Sequence, residues 1–167
     1  MERQRILLRR VRWLLAAFVV GLVLSGLTAV PLEGEIDGLC RVLGIAEGAP
    51  AGPDAGLRYW LATVRTGLHE THARYPFIAY GTDWLAFAHV VIAVAFIGPL
   101  RDPVRNLWVI TFGMIACAMV LPMALIFGAI REIPPGWRLI DCAFGVVGMV
   151  PLWLARRYAA ELAGARS

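Results

Sequence analysis

Apolar residues are concentrated in four long runs, separated by polar segments that contain most of the prolines. The runs cover approximately residues 12–30, 83–100, 106–128 and 137–156. Each is close to the roughly 20 residues that a helix needs to cross the hydrocarbon core of a membrane. Because backbone groups inside lipid must bond to one another, the runs predict transmembrane helices. The pattern therefore predicts an all-α integral membrane protein, a four-helix transmembrane bundle, in a single membrane domain over residues 1–167.

Composition supports the same class. Hydrophobic residues make up 59% of the chain, whereas roughly 45–50% is usual for a soluble globular domain, so that class is excluded. The first run follows the basic stretch "RQRILLRRVR", as the apolar part of a signal peptide does. It is long for a signal peptide, however, and no small-x-small cleavage site precedes Pro31 and Glu33. We interpret it as a retained first helix.

The segment between the first and second runs, residues 31–80, has two parts. Up to Gly56 it is rich in glycine, proline and acids, which predicts an exposed loop, and Asp54 would cap a following helix. In the second part apolar residues recur at the spacing of one helical face: Leu57, Trp60, Leu61, Val64 and Leu68. The opposite side is polar: Arg58, Arg65 and His69. This pattern predicts an amphipathic helix at the membrane interface, ended by Pro76.

The distribution of charge predicts the topology. All 16 basic residues are arginine, and most lie before the first run, between the second and third runs, and after the fourth. The positive-inside rule places these three segments in the cytoplasm. We therefore predict a multi-pass protein of the plasma (inner) membrane with both termini cytoplasmic and the segment 31–80 outside. The net charge of +4 is a topology signal, and we expect no nucleic-acid partner.

His89 is the main candidate for a functional residue. It lies almost two turns into the second run, where an ionisable side chain is costly unless it is paired. Ala86 and Ala93 share its helical face, which favours an inward direction. The alternative is a neutral imidazole bonded to a hydroxyl or carbonyl of a neighbouring helix, with Ser25 or Thr28 as the partner.

Asp141 is the second candidate, about one turn into the fourth run. Its face continues into Gly145 and Gly148, and small residues favour close helix packing and thus an inward direction. The alternative is a local ion pair with Arg138, three residues earlier. Both His89 and Asp141 fall in the outer half of the predicted bundle, so we expect that they meet.

The predicted ligand-binding residues are Asp83, Arg138, Trp84 and Tyr80. Asp83 also fits the first turn of a helix, where an acid complements the helix dipole. The chain has only three histidines, His69, His72 and His89. The spacing of His69 and His72 is compatible with zinc, and His89 would be a third ligand. "HETH" nevertheless differs from the H-E-x-x-H motif, so no cofactor is expected and zinc belongs to an alternative interpretation.

The layout of the chain resembles the family that contains the sterol isomerases and the sigma-2 receptor. The shared features are four spans, an aromatic–basic segment in a long first loop ("LRYW"), and late prolines in the third and fourth spans, here Pro122 and Pro151. The resemblance implies a pocket for a sterol-like ligand. No specific motif matches, and His89 stands where that family tends to have an acid, so no residue roles are carried over.

Three hypotheses about function follow. The first is a membrane protein that binds a lipid-like, isoprenoid or quinone-like molecule, or acts on it by acid–base chemistry, with His89 as hydrogen-bond partner or base and Asp141 orienting it. The second is an accessory subunit of a larger membrane complex, or a homo-oligomer, with glycine faces turned outward to a partner. The third is a zinc-dependent membrane hydrolase that uses His69, His72 and His89. Membrane lipids are expected partners in each case.

Overall fold

The computed structural model describes residues 2–46 and 56–164, and within these ranges the chain is helical with no strand. The α-helices are α1 (Glu2–Leu27), α2 (Leu32–Val42), α3 (Gly56–Arg74), α4 (Tyr80–Ala95), α5 (Ile97–Arg101), α6 (Leu107–Pro122), α7 (Gly128–Ile130) and α8 (Pro135–Gly164). A 3₁₀ turn over Pro76–Ala79 leads into α4, and a π-helical segment over Met123–Phe127 joins α6 to α7. The predicted cap at Asp54 lies outside the described residues.

Three helical segments are long and apolar enough to cross a membrane: Pro76–Arg101, Leu107–Ile130 and Pro135–Gly164. A fourth results if α1 and α2, which meet at a bend of 92°, are counted together as one broken span. The all-helical class is thus confirmed, with the three to four apolar helices of a membrane protein. The arrangement of a four-helix bundle and the interfacial position of α3 stay predictions.

The predicted loop before Gly56 is partly wrong, because Leu32–Val42 forms helix α2. Glu33 and Glu35 lie in its first turn, where negative charge complements the helix dipole. Ile36 and Cys40, four residues apart, form its buried face. The acids that indicated a loop are therefore the start of a short amphipathic helix. The predicted helix after Gly56 is confirmed as α3, and it ends before Pro76 as expected.

The described chain divides into two compact units, Met1–Leu22 with Val91–Ser167, and Val23–Val90. In the first unit a single buried cluster includes side chains from α1, α6 and α8. Leu7, Val11 and Leu15 of α1 are four residues apart and belong to this cluster, as do Leu152 and Ala155 of α8. This spacing places the three α1 residues on one helical face.

Glycines allow the helices of the first unit to approach closely. A Cβ atom at Gly145 would lie 2.5 Å from the backbone oxygen of Cys117, and one at Gly113 would lie 2.7 Å from a ring carbon of Phe96. A Cβ at Gly148 would lie 3.0 Å from the Cys117 sulfur. These three glycine positions therefore face the chain's own helices. They are not the outward glycine faces that the accessory-subunit hypothesis expects, although that hypothesis itself stays a prediction.

The two prolines inside the apolar runs have different effects on their helices. Pro122 ends α6, and the helix continues as the π-helical segment Met123–Phe127. A proline has no N–H to donate and thereby disturbs the regular bonding pattern. Pro151, by contrast, lies inside α8, which is continuous from Pro135 to Gly164.

The second unit contains an antiparallel hairpin of α2 and α3. Contacts join Leu43 to Arg58, Cys40 to Leu61, and Asp37 to Arg65, and a further contact joins Glu33 to His69. Residue numbers fall along α2 as they rise along α3, which is the register of two antiparallel helices. The steps of three and four residues keep every contact on one face of each helix. Cys40 and Leu61 are fully buried between the helices.

Candidate functional site

His89 lies against Gly26, where the end of α1 meets α4 within the second unit. A Cβ atom at Gly26 would be only 2.5 Å from the Cβ of His89 and 3.3 Å from the backbone oxygen of Ala86. Gly26 and Ala86 are both buried, and His89 is half-buried. The absence of a side chain at Gly26 therefore makes the space that the base of the imidazole occupies.

The hydrogen bond of His89 determines which ring nitrogen carries the proton. Nδ1 lies 2.7 Å from the backbone oxygen of Leu85, one turn earlier in α4. A carbonyl oxygen only accepts, so Nδ1 must donate. In the neutral ring Nε2 is then an unprotonated acceptor, and no hydrogen bond to it is made within residues 2–46 and 56–164.

The alternative partner predicted for His89 on a neighbouring helix is not observed. The Thr28 hydroxyl donates to the backbone oxygen of Ser25, 2.9 Å away, and the imidazole instead bonds within its own helix. His89 is therefore held by α4 itself, with one nitrogen used for positioning and the other available for chemistry.

Asp141 and Arg138 lie on the first turns of α8, in the first unit. The local ion pair that was the alternative for Asp141 is not formed, since no salt bridge joins the two side chains in the described part of the chain. The Arg138 side chain instead crosses Gly128, where an added Cβ would lie 2.7 Å from its Cγ and Cδ atoms, and Nη1 approaches the backbone oxygen of Leu125 at 3.5 Å. Leu125 belongs to the π-helical segment after Pro122.

Asp141 is half-buried. It and His89 belong to different units of the chain. Their pairing stays a prediction.

Asp83, Tyr80 and Trp84 all lie at the start of α4. Asp83 is in the first turn of the helix, where its charge complements the helix dipole. Tyr80 and Trp84 are one turn apart, with ring centroids 5.8 Å apart and nearly perpendicular planes, and both are exposed. This aromatic pair is typical of residues at a membrane–water boundary, and its role in ligand binding stays a prediction.

His69 and His72 of α3 both contact acidic residues of α2. His69 Nε2 lies 3.0 Å from Asp37 Oδ1, and His69 Nδ1 lies 3.0 Å from Glu33 Oε1. His72 Nδ1 is 3.8 Å from Glu33 Oε2. Among the residues that the structure describes, no three His, Cys, Asp or Glu side chains form a group able to hold a metal ion. The zinc interpretation stays an untested prediction, and the observed contacts indicate an ionic clamp.

The clamp consists of Asp37, Glu33, His69 and Arg65, with Arg65 Nε 2.7 Å from Asp37 Oδ1. Because two carboxylates face the two ring nitrogens of His69, the doubly protonated imidazolium satisfies both. The hydrogen bond to Asp37, followed by the charges of Asp37 and Glu33, raises the pKa of His69 above its ordinary 6.5. Hydrogen bonds from His69 and Arg65 lower the pKa of Asp37 in α2.

These pKa directions predict the pH range in which α2 and α3 are held together. Because the pKa of His69 is raised, protonated His69 stabilises the contact between α2 and α3. This stabilisation is complete below pH 6.5 and is lost as the pH rises through the folded-state pKa. Because the pKa of Asp37 is lowered, ionised Asp37 also stabilises this contact. That stabilisation is present above pH 3.8 and is lost as the pH falls through the folded-state pKa of Asp37. Amide hydrogen exchange of α2, corrected for its intrinsic pH dependence, should therefore accelerate as the pH rises above 6.5.

The matched variants for this measurement are His69→Gln and His72→Gln. His69→Gln removes the imidazole that is protonated in the clamp, and it should abolish the acceleration of amide exchange above pH 6.5. His72→Gln removes a histidine without a close hydrogen bond and should leave the acceleration in place. Equal pH profiles for the wild type and His69→Gln would contradict the clamp.

Two features of the site were missed by the sequence interpretation. Gly26 was not singled out, because its role depends on the meeting of α1 and α4, which the sequence alone does not show. Asp37 and Glu33 were assigned to a loop. Their spacing of four residues, with Ile36 and Cys40 between and after them, was the available signal for a helix with a polar edge facing α3.

The described residues thus define a class, the all-helical proteins with three to four candidate membrane spans. No protein-family model, no curated protein and no solved structure matches this chain. The resemblance in layout to the sterol isomerase family is accordingly not accompanied by a family match.

Proposed function

We propose that this protein crosses the plasma (inner) membrane four times, with both termini in the cytoplasm, and binds a lipid-like apolar molecule through His89. The spans are α1, the segment from Pro76 to Arg101, the segment from Leu107 to Ile130, and α8. Contacts within the first unit support this topology. Arg12 of α1 donates to the backbone oxygens of Leu100 and Arg101, at 3.0 and 3.3 Å, and so brings two arginine-rich segments together.

The observation that supports ligand binding is the geometry of His89. The Nδ1 atom of His89 donates to Leu85, the base of its ring is packed on Gly26, and its Nε2 is an acceptor within the apolar helix α4. An acceptor in such surroundings is costly unless a donor pairs with it. A hydroxyl group on an isoprenoid, quinol or lipid-like molecule provides that donor while its apolar body remains among apolar side chains.

The same arrangement suits simple acid–base chemistry. Nε2 accepts the proton of the ligand hydroxyl, which leaves the ligand oxygen negatively charged next to the imidazolium, and the hydrogen bond from Nδ1 to the Leu85 carbonyl holds the ring in place. Binding and proton transfer therefore use the same nitrogen. The proposal requires no metal and no cofactor.

Replacement of His89 tests the proposal. Native mass spectrometry of the protein in mild detergent, together with identification of extracted molecules, should reveal a retained apolar molecule in the wild type. His89→Ala should reduce its occupancy by about tenfold or more, because the ligand hydroxyl loses its acceptor among apolar side chains. His89→Gln, whose amide oxygen reaches approximately the position of Nε2, should retain part of the occupancy.

His72→Ala is the matched control, since it removes an exposed histidine of α3. It should leave occupancy unchanged. The proposal is overturned if the His89→Ala protein, still monodisperse and helical, retains the same molecule at the same occupancy.

A further inference from the structure

The cytoplasmic segments of the proposed topology meet at one end of the first unit. Arg12 joins α1 to the end of α5. Arg156 Nε donates to the Thr111 hydroxyl at 3.1 Å and joins α8 to the start of α6. Arg3 lies 4.0 Å from Glu161 and links the outer turns of α1 and α8. We call this end, formed by the first turns of α1, the link 101–106 and the last turns of α8, the basic end.

Three tryptophans mark a boundary at the basic end. Trp13, Trp108 and Trp153 are exposed to 70%, 70% and 50% respectively. Each lies where an arginine-rich segment meets an apolar helix, which is the position that indole rings prefer at the membrane–water interface. They therefore indicate the level at which the lipid headgroup layer begins.

Several arginines lie in the layer directly beyond these tryptophans. Arg9 and Arg10 precede Trp13 by four and three residues, or about 6 and 4.5 Å along the helix at 1.5 Å per residue. Arg105 precedes Trp108 by three residues. The headgroup layer is roughly 5–8 Å thick on each side of the hydrocarbon core. These side chains therefore fall at the level of the lipid phosphates, whereas Arg3 lies farther out.

Some basic-end arginines already have protein partners and others do not. Arg12 donates to backbone oxygens and Arg156 donates to a side-chain hydroxyl, and Arg157 lies 3.9 Å from Glu161. Within residues 2–46 and 56–164, no hydrogen bond or ion pair engages the exposed side chains that follow: Arg9, Arg10, Arg101 and Arg105. The only acids at this end are Glu2, Asp102 and Glu161, and Asp102 Oδ1 accepts backbone N–H groups of the link at 3.2 Å.

We propose that the basic end binds the headgroups of anionic phospholipids, with Arg9, Arg10 and Arg105 as the phosphate-binding residues. The partner is argued from complementary charge at the correct depth: guanidinium groups with no protein partner, placed beside interfacial tryptophans. Arginine is suited to this role because its donors match phosphate oxygens in pairs. This site rests on the topology of the proposed function but not on His89, so headgroup binding and ligand binding by His89 can fail separately.

The test compares two triple variants of the full-length chain that lose the same charge. One is Arg9→Gln, Arg10→Gln and Arg105→Gln. The control is Arg41→Gln, Arg74→Gln and Arg131→Gln, which removes three arginines outside the basic end. Each protein is reconstituted into vesicles of equal parts phosphatidylglycerol and phosphatidylcholine and extracted into mild detergent, and native mass spectrometry counts the retained lipids.

The wild type and the control should retain phosphatidylglycerol in preference to phosphatidylcholine, and the basic-end variant should lose this preference. A basic residue near an anionic surface contributes about a fivefold effect at low salt, so the three together predict a loss on the order of a hundredfold in apparent affinity. The preference of the wild type should also weaken with added sodium chloride, because the contacts are screened. This salt titration tests the proposal without any variant.

Two outcomes would overturn the proposal. In the first, the wild type shows no preference for phosphatidylglycerol even in phosphate-free buffer, where no free phosphate competes with the lipid. In the second, both triple variants lose the preference equally, in which case only net charge matters.

Discussion

Gly145→Ala should destabilise the first unit by about 3 kcal/mol, near the upper end of what overpacking usually costs. The added methyl group would lie 2.5 Å from the backbone oxygen of Cys117 and 3.1 Å from Cβ of Val120, both on α6. Neither atom is the end of a flexible side chain, so relief requires α6 and α8 to move apart. Reversible unfolding in mixed micelles, followed by tryptophan fluorescence, measures the change.

Gly21→Ala and Gly113→Ala are the matched comparisons. A Cβ at Gly21 meets no atom within 4 Å, and replacement of a helical glycine by alanine there should be neutral or stabilising by roughly 0.5–1 kcal/mol. At Gly113 the nearest atoms are the ring edge of Phe96 and a methyl group of Leu152, which give way more easily than backbone. The expected order of destabilisation is Gly145, Gly113, Gly21. An equal effect at Gly145 and Gly21 would contradict the close approach of α6 and α8.

Gly26→Ala should abolish ligand retention while the first unit stays folded. The added methyl group would lie 2.5 Å from Cβ and 3.0 Å from Cγ of His89. The imidazole must then move away from its position beside Gly26, and Nε2 moves with it. Because the hydrogen bond to a ligand depends steeply on geometry, even a small displacement weakens it. Native mass spectrometry of the variant measures the loss.

A double variant separates the steric effect from the chemical one. His89→Gly removes the Cβ atom that the new methyl group meets, so Gly26→Ala with His89→Gly should be more stable than the sum of the two single variants predicts. Ligand retention should not return, because the imidazole is gone. Strictly additive stabilities would show that Gly26 and His89 do not pack as described.

The positions of the apolar helices were predictable from the sequence because the signal is long and repeated. The helical segments that contain the second and fourth runs extend beyond the predicted bounds at both ends, from Pro76 to Arg101 for the second. Apolar content identifies the part of a helix that suits lipid, whereas hydrogen bonding continues the helix into polar residues. The start of α8 at Pro135 is an example, since proline is tolerated in the first turn.

The contacts around the candidate site were less predictable, because they depend on which helices meet. Asp141, three residues later, was the alternative partner considered for Arg138, yet the Arg138 side chain crosses Gly128 and approaches Leu125. That carbonyl lies in the π-helical segment, which no periodicity reveals. His89 was identified by its position almost two turns into the second run and by the alanines on its helical face. Its bond to Leu85 follows from the side-chain rotamer, and its space at Gly26 follows from the crossing of α1 and α4.

The most direct test of the central claim is nitrogen-15 NMR of the protein labelled at its histidines. The chain has only three, so His69→Gln and His72→Gln variants assign the spectrum. We expect His89 to be protonated at Nδ1 and unprotonated at Nε2, and we expect only its Nε2 signal to move when the extracted apolar molecules are added back. A His89 ring protonated at Nε2 and not at Nδ1, or an Nε2 signal unaffected by those molecules, would contradict the assignment of His89 as the ligand-binding group.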